Sequence, residues 1–252
     1  MSIAKYLFVA LVLLLLPLGA CASTELDDDL LVVASDLDNP PFASVDGEGR
    51  PQGRDVEMTA LLAERMGVRV EWRRMPFERL IDAVAEGEVD AAVATLGTTP
   101  ERAERVLFTK PYYETEIVVV VSTRPGAPRR LSALEGGTLV GGVGTTSERA
   151  IRLVYGDDAF VPGTKDGASA AELVLDGSVD GAVMDAPNAR ALVEQVGPTL
   201  RILDEPLAME HYSIAVRPNA PHLREELDRA LAELDADKVL DRLDREFGLV
   251  VP

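Results

Sequence analysis

Cysteine is all but missing. Cys21 is the only one in 252 residues, so neither a disulfide framework nor a cysteine-based zinc site can be built. Histidine is scarce as well: His211 and His222 stand at no metal-ligand spacing with other ligand types, and no metal or cofactor is expected. Both read as surface or hinge residues. Basic residues are outnumbered, 25 Lys and Arg against 43 Asp and Glu, and the formal net charge of −18 argues against nucleic acid or an anionic membrane surface as a partner. Such acidity favours solubility and says nothing of fold. The unbroken apolar run Leu7–Leu16 is well short of the roughly 20 residues that a membrane helix needs. With Lys5 before it and Leu18-Gly19-Ala20-Cys21 after it, the segment 1–21 reads as a targeting sequence to be left out of the fold. Two endings stay open. The four residues look like a lipobox, in which an acylated Cys21 becomes the mature N-terminus and anchors the chain. Alternatively, ordinary cleavage at the small-residue pattern Ala20-Cys21-Ala22 leaves a freely soluble protein. A nucleotide loop is lacking too, since Gly141-Gly142-Val143-Gly144 has neither the lysine of a P-loop nor full dinucleotide spacing.

What is present is a repeat. Gly87–Val93 reads GEVDAAV, and Gly177–Val183 reads GSVDGAV. Each copy follows a helix-like segment that ends in an acidic residue, and each runs into a proline-started helix that carries an arginine, Arg102 or Arg190. The first copy predicts a short strand over Val89–Ala94 and then a turn. The same offset from the two glycines lands on Thr95 and on Asp185. Two strand–turn–helix units therefore present polar residues at carboxyl ends of strands, where open α/β sheets bind ligands. In the first unit Thr99 is a good N-cap and Pro100 suits the first helical position. That puts Arg102 in the first turn, where the macrodipole disfavours a cation unless an anion meets both the arginine and the free backbone N–H groups. The plainer alternative is a solvated arginine paired with Glu101 or Glu104. If two lobes face each other across a cleft, Arg102 and Asp185 stand on opposite walls, an arrangement that suits a zwitterion.

These pieces resemble the extracellular solute-binding proteins of ABC importers for polar amino acids. The resemblance runs from about Leu30 to Gly248. It rests on DNPPF at 38–42, GRDVEM at 53–58, the repeated strand, TTPER at 98–102, FTKPYY at 108–113, GTT at 144–146, VDGAVMDAP at 179–187 and HYSIAVRP at 211–218. It implies the type 2 periplasmic binding fold: two α/β lobes with mostly parallel central sheets, joined by two hinge strands near Tyr112–Glu116 and Leu207–His211. Residues 29–112 plus 212–252 would form lobe 1, and 113–211 lobe 2. It implies capture of a small polar solute, an α-amino acid, for a membrane ABC permease by a monomeric, exported, non-enzymatic protein. Arg102, with backbone N–H groups near Gly97 and Thr146, would hold the carboxylate; Asp185 and the Thr95 region would hold the ammonium. Asp36 sits where the family often holds a basic or amide side chain, although a turn cap is the plain alternative. Phe77 matches a position that can touch the ligand, while its periodicity equally reads as core. Two positions depart from the family pattern: Asn39 stands where an aromatic residue is often found, and Gly97 where a hydroxyl is often found. The competing readings on the same fold are an enzyme of the cyclohexadienyl dehydratase type and a ligand-sensing receptor domain. No Ser–His–Asp constellation supports the former.

Periodicity supplies the rest. Leu30–Ala34 predicts a buried first strand, ending at Asp36. Asp55 is expected to cap a helix through Met66 with Met58, Leu62 and Met66 in the core. Val68, Val70 and Trp72 alternate as a half-buried strand, and Pro76 opens a helix with Phe77, Leu80, Ile81 and Val84 on one face. Ile117–Val121 reads as a buried strand, Thr138–Val143 as a strand leading into Gly144-Thr145-Thr146, and Leu223, Leu227, Leu231 and Leu234 as a helical stripe.

Overall fold

The computed structural model describes residues 25–163 and 167–250; the targeting segment and Cys21 lie outside the described residues. Two sheets organise the chain. The first is built from β1 (Leu30–Ser35), β4 (Arg69–Arg74), β5 (Ala91–Ala92), β6 (Leu107–Phe108) and β13 (Ala215–Val216), in the order β4-β1-β5-β13-β6. A two-stranded ribbon, β2 (Ser44–Val45) with β3 (Pro51–Gln52), stands apart from it. The second sheet runs β11-β7-β10-β8-β9, from Leu200–Ile202 (β11), Tyr113–Ser122 (β7), Gly181–Asp185 (β10), Leu139–Gly142 (β8) and Phe160–Gly163 (β9). Here β12 (Ala208–Tyr212) pairs with the outer half of β7. Helices α1 (Arg54–Met66), α2 (Leu80–Ala85), α3 (Pro100–Ala103), α7 (Pro221–Ala236) and α8 (Val239–Glu246) serve the first sheet; α4 (Thr146–Tyr155), α5 (Gly167–Asp176) and α6 (Ala186–Val196) serve the second.

The expectation of two α/β lobes is met, with one correction: the sheets are mixed. β1 is parallel to β4 and β5, and β8 to β9 and β10. β7 instead runs antiparallel to β10, β11 and β12, and β13 antiparallel to β5 and β6. The reason is topological. A strand that carries the chain from one lobe to the other, or back, enters its new sheet from the opposite end, against the βα units already there.

The repeated V-D pair has the same mechanical role in both lobes. Gly87 and Gly177 end the preceding helices with φ of 75° and 84°, a conformation that glycine adopts without strain. Val89 and Val179 are buried, at 2% and 3% exposure. Asp90 then donates its N–H to the Val32 carbonyl at 3.0 Å and accepts the Val32 N–H on Oδ2 at 2.9 Å. Asp180 does the same to Thr138, at 2.8 and 2.9 Å. Each aspartate thus clamps its strand to a parallel neighbour and fixes the register that brings Thr95 and Asp185 to the strand ends.

Behind the crossing strands lies a buried polar cluster. Gly53, at φ 124°, is the N-cap of α1; a Cβ there would fall 2.5 Å from the Phe42 carbonyl oxygen, so only glycine fits. This corrects the expected capping by Asp55. Asp55 lies inside the first turn, fully buried, and its Oδ2 accepts the Tyr112 hydroxyl at 2.7 Å. Arg54, also fully buried, donates to Asp244 at 2.9 Å and stacks over the Tyr112 and Tyr113 rings at 5.3 and 5.5 Å. Burial pushes the Asp55 carboxyl up, and Arg54 and the Tyr112 hydroxyl pull it back.

Removing the second clamp tests its role. Asp180→Ala leaves the Thr138 N–H without its acceptor, and the loss in unfolding free energy should be about 1–3 kcal/mol by urea denaturation. Asp180→Asn retains an acceptor oxygen and should lose clearly less. Equal losses for the two would show that the carboxylate does not act through this hydrogen bond.

Candidate functional site

A cavity lies between the two sheets, where the strand ends of both lobes meet. Its lining includes Asn39, Phe77, Thr95, Gly97 and Arg102 from the first lobe and Thr146, Asp185 and Asn188 from the second. Of the eight positions singled out in the sequence, seven line it. Asp36 does not: it is buried at the end of β1, and Asp38 is the acidic residue of that turn on the cavity wall.

Local structure places each group. Thr99 caps α3 as expected, its hydroxyl accepting the Arg102 N–H at 3.2 Å, with Pro100 in the first turn. The helix is a single turn, however, so its dipole is slight and cannot be what positions the arginine. Hydrogen bonds do that. The Arg102 guanidinium donates to the Gly97 carbonyl at 2.6 Å and, across the cleft, to the Gly144 carbonyl at 2.9 Å, while one face rests 5.5 Å from the Phe77 ring centre. No carboxylate among the described residues is within ion-pair distance of it. Burial lowers its pKa, and Glu210 and Glu101 work in the opposite direction. Arg190, the arginine that follows the second copy of the repeat, is exposed and is not in the lining of this cavity.

On the facing wall Asp185 is the last residue of β10 and stands at the N-cap of α6, yet its side chain makes no capping bond. Its Oδ2 accepts the hydroxyl of Tyr212, which is fully buried. Burial, and then the carboxylate beside it, push that hydroxyl well above the usual phenol range. Thr146 opens α4, with Thr145 as N-cap, its Oγ1 accepting the Glu148 N–H at 3.4 Å. This end of a ten-residue helix faces the same space as Arg102.

Thr95 has φ of 49°, a conformation that costs a β-branched residue on the order of 1–3 kcal/mol. Its hydroxyl accepts from Asn39 Nδ2 at 2.9 Å, and Asn39 Oδ1 accepts from Asn188 Nδ2 at 2.7 Å. Asn39 therefore stands, in place of an aromatic, as a relay between lobes. Together with Arg102–Gly144 and an Arg149–Glu101 pair at 3.1 Å, it holds the cleft shut.

The residues 31–249 match the bacterial extracellular solute-binding proteins, family 3. The chain belongs to that family. A probable amino-acid-binding protein of Bacillus subtilis, YxeM, is 25% identical over 98% of this chain and 96% of its own length. The ABC transporter arginine-binding protein 1 of Escherichia coli is 27% identical, over 82% of this chain and 86% of its own. Among solved structures, an ancestral arginine-binding protein bound to arginine superposes with a TM-score of 0.77 at 29% identity, covering 87% of this chain and 98% of that one. The ancestral amino acid-binding protein AncCDT-1, a precursor of cyclohexadienyl dehydratase, gives 0.75 at 25% identity, covering 87% and 95%.

For this solute-binding protein the sequence reading passed over three residues at the cleft. Asn188 lies one helical turn after Asp185, on the same side of α6, and that spacing was an available signal. Tyr212 lies inside the HYSIAVRP segment, and its bond to Asp185, 27 residues away, has no sequence signal. Glu210 could not have been found, because what places it is a space left open at Gly97, on a distant segment. No group of three His, Cys, Asp or Glu is placed to hold a metal ion among the described residues.

The relay is open to direct measurement. Asn39→Ala and Asn188→Ala, alone and combined, should show a coupling of about 0.5–3 kcal/mol in unfolding free energy. Additivity to within about 0.3–0.5 kcal/mol would mean that the two side chains do not meet in solution.

Proposed function

We propose that this solute-binding protein captures an α-amino acid between its lobes and delivers it to a membrane ABC permease. The observation that carries the proposal is the pair of opposite charges on facing walls. Arg102 has backbone carbonyls for partners and no carboxylate among the described residues, and Asp185 faces it across the cavity beside a buried tyrosine hydroxyl. An α-carboxylate on Arg102, supplemented by N–H groups at the start of α4, and an α-ammonium on Asp185 and the Thr95 carbonyl would complete both charges. Asn39, Phe77 and Asp38 line the remaining space and would meet the side chain, while Asp36, outside that lining, would not touch it. The relatives named for arginine support a basic one. The moving bodies would be residues 29–112 with 212–252, and 113–211. The similar AncCDT-1 is itself named as an amino acid-binding protein, which supports binding rather than catalysis.

A thermal-shift screen of the amino acids should find a ligand that raises the melting temperature by on the order of 10 °C at 1,000-fold excess over Kd, since that excess stabilises by about 4 kcal/mol and each kcal/mol moves a domain of this size by roughly 2–4 °C. With that ligand, calorimetric titration of Arg102→Ala should show a loss of about 3–5 kcal/mol, because a buried carboxylate is left underpaired. Asp185→Asn should weaken the amino acid strongly and spare its deaminated analogue. Parental affinity in Arg102→Ala would place the anion site elsewhere, and a silent Asp185→Asn would point to an acid without an amine.

We also propose that Cys21 is acylated and tethers the protein to the membrane. Among the described residues no helix is long and apolar enough to cross one. Cys21→Ser should move the protein from the membrane to the soluble fraction with ligand affinity unchanged. Equal partitioning of both forms into the soluble fraction would leave the soluble reading.

A further inference from the structure

Glu210 lies on β12, one of the two crossing strands, and is 4% exposed. Its carboxyl fills the space beside Gly97: a Cβ at position 97 would fall 2.3 Å from Glu210 Oε1 and 2.7 Å from the Thr146 methyl. The side chain is therefore wedged between the first lobe, at Gly97, and the second, at Thr146. Oε1 accepts the His211 N–H at 3.1 Å, and Oε2, fully buried, has no hydrogen-bond partner among the described residues. Other groups act on it from every side. Arg102 reaches it from α3 only through space, with no ion pair between them, and the Thr146 hydroxyl approaches from α4. His211 is next to it on β12 and itself faces Glu114 of β7 at 3.7 Å, and Thr115 is opposite in the ladder. The Asp185–Tyr212 pair lies beyond.

We propose that Glu210 is a positioning residue for capture, one that must take up a proton as the lobes close over it, so that solute binding is tied to proton uptake. A buried carboxylate with an unpartnered oxygen is disfavoured in its charged form. Hinge closure is how two-lobed binding proteins trap a ligand. Parting the lobes withdraws Thr146 and returns the carboxylate to water, so the burial belongs to the closed state. Burial is the leading cause of a raised pKa at Glu210, opposed by Thr146, His211 and Arg102. The sign follows. The closed form holds the proton to a higher pH than the open form does. Closure is fully favoured below the ordinary glutamate range, about 4.3. It weakens by up to about tenfold per pH unit as pH rises to the closed-state value, then levels off.

The gate is tested first without solute and then with one, because the second arm rests on the amino-acid reading and the first does not. After unfolding and refolding to strip bound solute, small-angle scattering of the parent should show a smaller radius of gyration at pH 5 than at pH 8. Glu210→Gln should be compact at both, as should Glu210→Met, a second variant of similar volume. The same pH response in parent and variants, or none in the parent, overturns the proposal. Titration with L-arginine in two buffers of different ionisation enthalpy should then show proton uptake by the parent and none by Glu210→Gln, whose affinity at pH 8 should exceed the parent's. Uptake by both overturns the gate. No heat with L-arginine in either form counts against the arginine-like ligand, and the scattering result still decides the gate.

Discussion

Asp90 and Asp180 each return a carboxylate to an N–H on, or directly before, the adjacent parallel strand, and the two lobes depend on that bond in the same way. A strand of two residues, as β5 is, has little register of its own. An aspartate that engages one partner residue twice, its carboxylate accepting the N–H and its own backbone N–H donating to the carbonyl, supplies it. Because the clamp sits at the start of each strand, it aims the far end, and the far ends are where Thr95 and Asp185 enter the cleft. The repeated motif is thus a structural device first, and the site is its consequence.

This explains what could be read from the sequence. The repeat marked the two strand–turn–helix units, Thr99-Pro100 marked a helix start, and the apolar run at Ile117–Val121 marked a buried strand; all of these are local. Errors arose where two segments meet. Asp55 looked like a cap because aspartate commonly is one, but the close approach of Phe42 reserves the cap for Gly53 and leaves Asp55 for Tyr112. Arg102 and Arg190 each lie in a proline-started helix after a copy of the repeat, yet only the former has the Gly97 and Gly144 carbonyls to donate to. Asn39 and Asn188 are separated by 149 residues, and no periodicity could have joined them.

The site is dominated by desolvation. A chain with net charge −18 places one guanidinium in its cleft and satisfies it with carbonyl dipoles, which hold the cation without cancelling it. On the opposite wall, a neutral tyrosine hydroxyl does the corresponding service for Asp185. Dipoles that solvate a charge without neutralising it leave it able to attract an ion of opposite sign, and a drier cleft strengthens that attraction.

The two crossing strands pair residue for residue from Ala208 with Ile117 to Tyr212 with Tyr113. A slip of one position would turn every side chain of the ribbon to the wrong face, so sliding of one lobe along the other is closed off. Twisting is not, since two-stranded ribbons tolerate the widest range of twist. The ribbon behaves as a torsion spring with one soft coordinate, clamped at one end by the Arg54–Asp55–Tyr112 cluster. Motion between the lobes is then rotation about a single built-in axis, the one direction the ribbon leaves soft once the contacts across the cleft have parted.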